Sequence, residues 1–400
     1  MKIQNRSRIT PQDVPPKITN NYVSKTLNIV WKLRYLIWIE AIIGINRIYL
    51  FKDMKIISLL CYITSICFIT SVLVFLFHNE DPNTIYVLYK YTSCIEYLLL
   101  SLSAMFLQKQ KIEQFFKDLN KIDKALNIEN NIDITNTAKE IWLWVAPGTV
   151  YFSIEYTVIL INSYNANSYW FTLIYVATMG HEVESAFFCI LLGSILRRIR
   201  VIKTHVSKIF LLNSEGCSTN NNVRRLEALS KNVKLNIESL HRIYESLHKT
   251  SEQLNSLMGF SIVILLLSSG LSSILHIMFM VKISEVSDTD AFYETSAMIG
   301  YASSRIVKYT VLVVIPSYYG SATTNQVLEI RRILYKAINS LDSDKKYHRK
   351  VKTFIQLTMD NDFSYIAKGI IKLDMSLPLS YCSLCTTYLI IVIQFSKFFD

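Results

Sequence analysis

Long apolar stretches separated by basic, polar segments constrain this chain more than any other feature. A helix needs roughly 20 mostly apolar residues to cross the hydrocarbon core of a bilayer. Seven segments meet that length: about 56–77, 86–107, 141–162, 169–196, 258–281, 295–319 and 376–395. Only 18% of the 400 residues are charged and 51% are hydrophobic, against about 25% charged in a soluble domain. Gly and Pro are scarce, at 10 and 7, and the apolar runs are continuous. Strands of a lipid-facing barrel would alternate instead, so the expected fold is an all-α, seven-transmembrane helical bundle.

The distribution of charge orients that bundle. The formal net charge is +11, and 37 of the 42 Lys and Arg fall in segments 1–55, 108–140, 197–257 and 321–375. The opposite loops hold two, Lys282 and Lys397, and are acidic, as in Glu80-Asp81 and Glu285, Asp288 and Asp290. The excess of Lys and Arg marks the cytoplasmic side. The N-terminus is therefore expected inside and the C-terminus outside, an inverted topology unlike that of a G-protein-coupled receptor. Basic residues placed between spans set orientation, so no nucleic-acid partner is expected; the lipid bilayer is. Residues 1–26 are polar, contain Pro11, Pro15 and Pro16, and lack the pattern of a cleaved leader. The first span then serves as its own insertion signal.

Tyr35–Phe51 is apolar but carries Glu40 and Arg47. Each charge costs roughly 2.5–3.5 kcal/mol at a helix centre, so this block reads as an interfacial or re-entrant helix packed beside the bundle. Val223–Leu257 has apolar residues at helical spacing, including Leu240, Ile243, Tyr244 and Leu247, and runs into the fifth span. Val327–Ser340 continues the sixth span inward, and Ser364–Leu373 is expected to extend the seventh. The organisation is then a cytoplasmic segment 1–34, the interfacial helix 35–55 and spans one to four in 56–196. A cytoplasmic extension 197–257, spans five and six in 258–320 and cytoplasmic anchor helices 321–375 follow. The last span and a short outer tail occupy 376–400.

Catalysis finds little support. There is no metal-ligand cluster, phosphate-cradling glycine loop or nucleophile elbow. His181-Glu-Val-Glu184 departs from a zinc helix because its last position is Glu. Most of the seven Cys lie inside apolar helices, and Cys382-x-x-Cys385 has no second pair to complete a zinc site. No cofactor or metal is expected.

The final span ends Thr387-Tyr388, five apolar residues, Gln394-Phe395. This resembles the Thr-Tyr-(five hydrophobic)-Gln-Phe ending of insect gustatory receptors, with all four fixed positions matched in the last span. Leu36–Tyr49, with its central Gly44, resembles the family's segment before the first span, although the usual Pro after the Gly is missing. The resemblance covers the whole chain in architecture and mainly its last 20 residues in sequence. It implies a ligand-gated, non-selective cation channel of the plasma membrane, opened by a small-molecule tastant. It also implies assembly as a homo- or heterotetramer whose seventh helices line a shared pore, with cytoplasmic helices meeting in an anchor. The related insect odorant receptors share the topology and are the nearest alternative. A secondary transporter is a more distant one, because no repeat relates the two halves.

Thr387, Ile391 and Gln394 share one helical face and Tyr388 and Phe395 an adjacent one. In the resemblance these five line the pore or gate. The plainer alternative places Gln394 at the outer interface, solvated. Intramembrane polar and aromatic residues collect in the outer halves of spans two to six, among them Lys90, Glu96, His181, His276 and Lys308. Such residues are functional candidates. Tyr89, Glu155, Trp170, Tyr175, Glu182, Tyr301 and Arg305 are the expected ligand contacts. The competing reading has Glu96, Glu155, Glu182 and Glu184 acting as counterions of Arg305 and Lys308, holding helices in register. His181 alone reads as a satisfied core residue.

Overall fold

The structure, a computed structural model, describes residues 30–31, 33–51, 54–77, 84–126, 128, 168–211, 235–286, 292–340 and 345–399. The expected third span, 141–162, lies outside them. The described chain is helical apart from one small hairpin. Its elements are α1 (Arg34–Ile42), a 3-10 turn (Ile48–Leu50), α2 (Lys55–Phe77) and α3 (Thr84–Leu102), which continues through a π turn (Ser103–Leu107) into α4 (Lys109–Ala125). Then come α5 (Ser168–Leu211), α6 (Ile237–Val286), α7 (Phe292–Ser340), α8 (Lys345–Asp360), strands β1 (Ile366–Ala367) and β2 (Ile371–Lys372), and α9 (Ser376–Phe399).

Three of these helices are far longer than a bilayer requires. α5, α6 and α7 have 44, 50 and 49 residues. The helix that carries the expected fourth span runs unbroken past 196 to Leu211, into the segment expected to form a helical extension. The reason is visible in its burial: Ile195, Ile199, Ile202 and Val206 recur at helical spacing and are all buried, so the apolar stripe outlasts the apolar block. α6 repeats the pattern with Ile237, Leu240, Tyr244, Leu247 and Leu254. α7 absorbs Pro316 in its interior, where the missing N–H removes one rung of the helix ladder.

The polar ends of these helices pack with α4 and α8 around one continuous core. α8 presents Val351, Phe354, Ile355 and Thr358, a buried i, i+3, i+4, i+7 stripe. The Tyr244 ring lies edge-on to Phe354 and Phe363, and its hydroxyl donates to Asn361 O at 2.6 Å. Arg198 forks onto Asp123 at 2.6 and 2.7 Å, tying α5 to α4.

Ser364–Leu373 does not extend the last helix. It holds an antiparallel hairpin pairing Ile366 with Lys372 and Ala367 with Ile371. Lys368 and Gly369, both at positive φ, make the turn, and a left-handed pair ends a helix rather than continuing one. The hairpin leads back against α7 at Gly320, where any Cβ would collide with the Leu373 carbonyl.

α2 has the opposite character. Among the described residues it is, with 237–281 of α6, one of two helices long and apolar enough to cross a membrane. Ile56, Leu59, Leu60, Ile63, Ile66, Leu73, Val74 and Phe77 are exposed on it. A patch of that extent is foreign to the surface of a water-soluble monomer.

Candidate functional site

Two buried polar networks cross the apolar bundle. The first is centred on Arg47, which the sequence left without a partner. Its Nη1 donates to Glu40 Oε1 at 2.6 Å, and its Nη2 donates to Gln108 Oε1 at 2.6 Å and Glu184 Oε1 at 2.7 Å. The Phe187 ring covers the guanidinium at 4.2 Å. Gln108 Nε2 donates onward to Ser261 Oγ at 3.0 Å. Glu40, Arg47 and Glu184 are all fully buried. The segment 35–51 is thus stitched into the bundle by its two charges, which makes the pairing, not lipid exposure, the answer to their cost. Gly44, at φ +92°, turns the chain here, and a Cβ would strike the Tyr97 hydroxyl. That hydroxyl donates to Ile43 O at 2.6 Å.

The second network joins α3, α5, α6 and α9. Glu96 on α3 receives hydrogen bonds from His181 Nδ1 on α5 and from the Ser268 hydroxyl on α6. His181 Nε2 lies 3.1 Å from Ser269 Oγ. With Nδ1 donating to the carboxylate, the neutral imidazole tautomer leaves Nε2 to accept from the Ser269 hydroxyl. Tyr381 on α9 donates to the Ser269 carbonyl at 2.9 Å and lies 2.6 Å from Ser273 Oγ. Beside this network Lys308 pairs with Glu182, and His181 and His276 both pack on the Tyr309 ring.

The expected counterions are therefore distributed differently than the sequence reading had them. Glu182 does meet Lys308. Glu184 instead serves Arg47, and Glu96 serves His181 and Ser268. Glu182 and Glu184 are two residues apart on α5 and so face different neighbours. Arg305 is buried close to His276. Glu155 and the side chains of Tyr89, Trp170, Tyr175 and Tyr301 lie outside the described residues. The sequence reading missed Ser269, Ser273 and Tyr381. The signal for the two serines was present as Ser268-Ser269-Gly270-Leu271-Ser272-Ser273 in the middle of an apolar span, since small polar residues mark close helix contacts in membranes.

α9 touches the rest of the chain through α6 and α7. Pro378, Tyr381 and Cys385 form its buried stripe, while Ser380, Ser383, Thr387, Tyr388, Ile391 and Gln394 are exposed. Phe395 has its side chain outside the described residues. Thr387 returns its hydroxyl to Ser383 O at 2.9 Å. Cys382 and Cys385 point to different sides, one exposed and one buried.

A bundle of long helices with charges paired inside its apolar region and an apolar helix laid along its outside defines a polytopic helical membrane protein. The sequence profile of the 7tm chemosensory receptor family matches residues 45–399. The chain belongs to that family and is a membrane receptor. In structure it is similar to the insect olfactory receptor OR5 from Machilis hrabei in complex with eugenol, with a TM-score of 0.62. That likeness has 11% identity over 94% of this chain and 100% of the other. It is also similar to a second structure of the insect olfactory receptor OR5 from Machilis hrabei, with a TM-score of 0.59 and 12% identity over 92% and 99% of the two chains. A search of curated proteins by sequence returns no match.

Proposed function

We propose that this chain is a subunit of a ligand-gated, non-selective cation channel of the gustatory branch, opened by a small-molecule tastant. In this reading four subunits meet around one ion path lined by α9. The observation that carries the reading is the two-faced character of α9. One stripe, Pro378, Tyr381 and Cys385, is buried against the bundle. The face turned away from it carries Ser380, Ser383, Thr387 and Gln394. A Gln amide facing hydrocarbon lacks partners, whereas one facing a shared axis meets water or its copies. Ile391 and Phe395 would then form the apolar constriction that gates by excluding water.

The gustatory assignment rests on the Thr387-Tyr388 to Gln394-Phe395 ending; the likeness to OR5 bears on the fold. The inverted topology and plasma-membrane location rest on the bias of Lys and Arg toward one side. The ligand-contact assignment is Tyr89, Glu155, Trp170, Tyr175, Glu182, Tyr301 and Arg305. It draws support from the pairing of Glu182 with the partly buried Lys308 and from the burial of Arg305 beside the His181–Tyr309–His276 aromatic group. That OR5 has been solved with eugenol is in keeping with a small organic ligand.

Whole-cell recording from a heterologous host expressing the chain, with sucrose, fructose, caffeine, denatonium and eugenol applied in turn, tests the proposal. An evoked cation current is expected. Cysteines introduced at Thr387 or Gln394 should make that current sensitive to a small, water-soluble thiol reagent. Insensitivity at both positions, with the wild-type current intact, would remove α9 from the pore.

A further inference from the structure

We propose that Tyr381 is the positioning residue through which the receptor bundle holds the last helix, by way of the chain Glu96–His181–Ser269–Tyr381. The proposal rests on the channel reading above and adds the route by which the bundle reaches the pore helix. Four helices contribute one link each: α3, α5, α6 and α9. Among the described residues, Tyr381 makes the only side-chain hydrogen bonds that join α9 to another helix. Ser269 is the junction, since its hydroxyl serves His181 and its carbonyl serves Tyr381. Glu96, His181, Ser269, Ser273 and Tyr381 are all at most 8% exposed, so no water competes and each bond counts for more than it would at a surface.

The chemistry favours a two-position device. Hydrogen bonds weaken steeply once the donor–acceptor distance passes about 3.5 Å, so a sub-ångström shift of α5 against α6 makes or breaks the His181–Ser269 link. The Ser269 peptide then changes its pull on Tyr381. A ligand that prefers one of the two positions of α5 biases the seating of α9. The apolar contacts of α9 offer no such directionality: Cys385 and Val313 pack beside Tyr381 and slide without penalty of this kind.

The test is a double-mutant cycle in the full chain, read by current per surface receptor both without ligand and with whichever of sucrose, fructose, caffeine, denatonium or eugenol the wild type answers. Tyr381→Phe removes one hydroxyl and His181→Gln breaks the middle link. Each is expected to shift basal current or half-maximal concentration by about 3- to 10-fold, the range of a single buried hydrogen bond. The double variant should shift no further than the larger single one. Thr70→Val, on the exposed face of α2, combined with Tyr381→Phe should multiply instead. Surface biotinylation confirms that each variant is delivered, and the isosteric Tyr381→Phe guards against misfolding. Independent effects of His181→Gln and Tyr381→Phe on current, or no effect of either, would overturn the proposal while leaving the channel standing. A wild-type chain silent under every condition would instead remove the channel reading, and this one with it.

Discussion

At the scale of single residues, the molecule is governed by how it settles charge where there is no water. Arg47 satisfies two carboxylates and an amide at once. Removing it leaves Glu40 and Glu184 buried and unpaired, a loss of about 3–5 kcal/mol. Arg47→Met should therefore abolish surface expression, measured by biotinylation. Arg47→Met combined with Glu40→Gln and Glu184→Gln should recover part of it. Lys308 and Glu182 allow a milder experiment. Glu182→Lys alone places two cations together, and Glu182→Lys with Lys308→Glu restores opposite charges. Expression should fall in the first and return in the second, unless Glu182 also serves the ligand, in which case expression returns without the evoked current. The residues themselves were legible in the sequence, because charges inside apolar blocks stand out. Their pairing was not. Glu184 lies 137 positions from Arg47, and no local pattern says which of four carboxylates a helix will turn toward which cation.

At the scale of elements, the continuous helices join the apolar part of the bundle to its polar end, and the latter carries its own pH dependence. Burial pushes the His248 imidazole below its usual range, against the weaker opposing pull of Glu252 and Asp362. His205 is depressed by burial first and by Lys208 second. A histidine that resists protonation in the fold but accepts it when unfolded costs stability as acid is added. The contribution is whole above about pH 6.5, the unfolded value, and is lost as pH falls toward the depressed folded values. The melting temperature of the detergent-solubilised protein should drop between pH 7.5 and 5.5, and His205→Gln with His248→Gln should flatten that slope. Helical periodicity announced α6 and the inward continuation of α7 over Val327–Ser340. It failed at Ser364–Leu373, where Lys368-Gly369 turns the chain back, because a two-residue strand leaves no periodic signature.

At the scale of the whole molecule, the proposed orientation and assembly rest on one-sided charge and a half-covered last helix. An epitope at the C-terminus should be stained on intact cells, and one at the N-terminus only after permeabilisation; the reverse pattern would invert every assignment of inside and outside. Fold class was readable because a bilayer demands a minimum length of apolar helix, a constraint written plainly in any sequence. The site was readable only in composition, since the faces that meet across α3, α5, α6 and α9 are fixed by packing.

The unbroken course of α6 has a mechanical consequence. At 1.5 Å per residue its 50 residues make a rod of about 75 Å. A rod without a joint at the membrane surface cannot bend one half and spare the other. Tilting it by about 3° displaces one end by roughly 4 Å relative to the other over that length. Small rearrangements among side chains at one end would thus arrive, amplified by leverage, at the other.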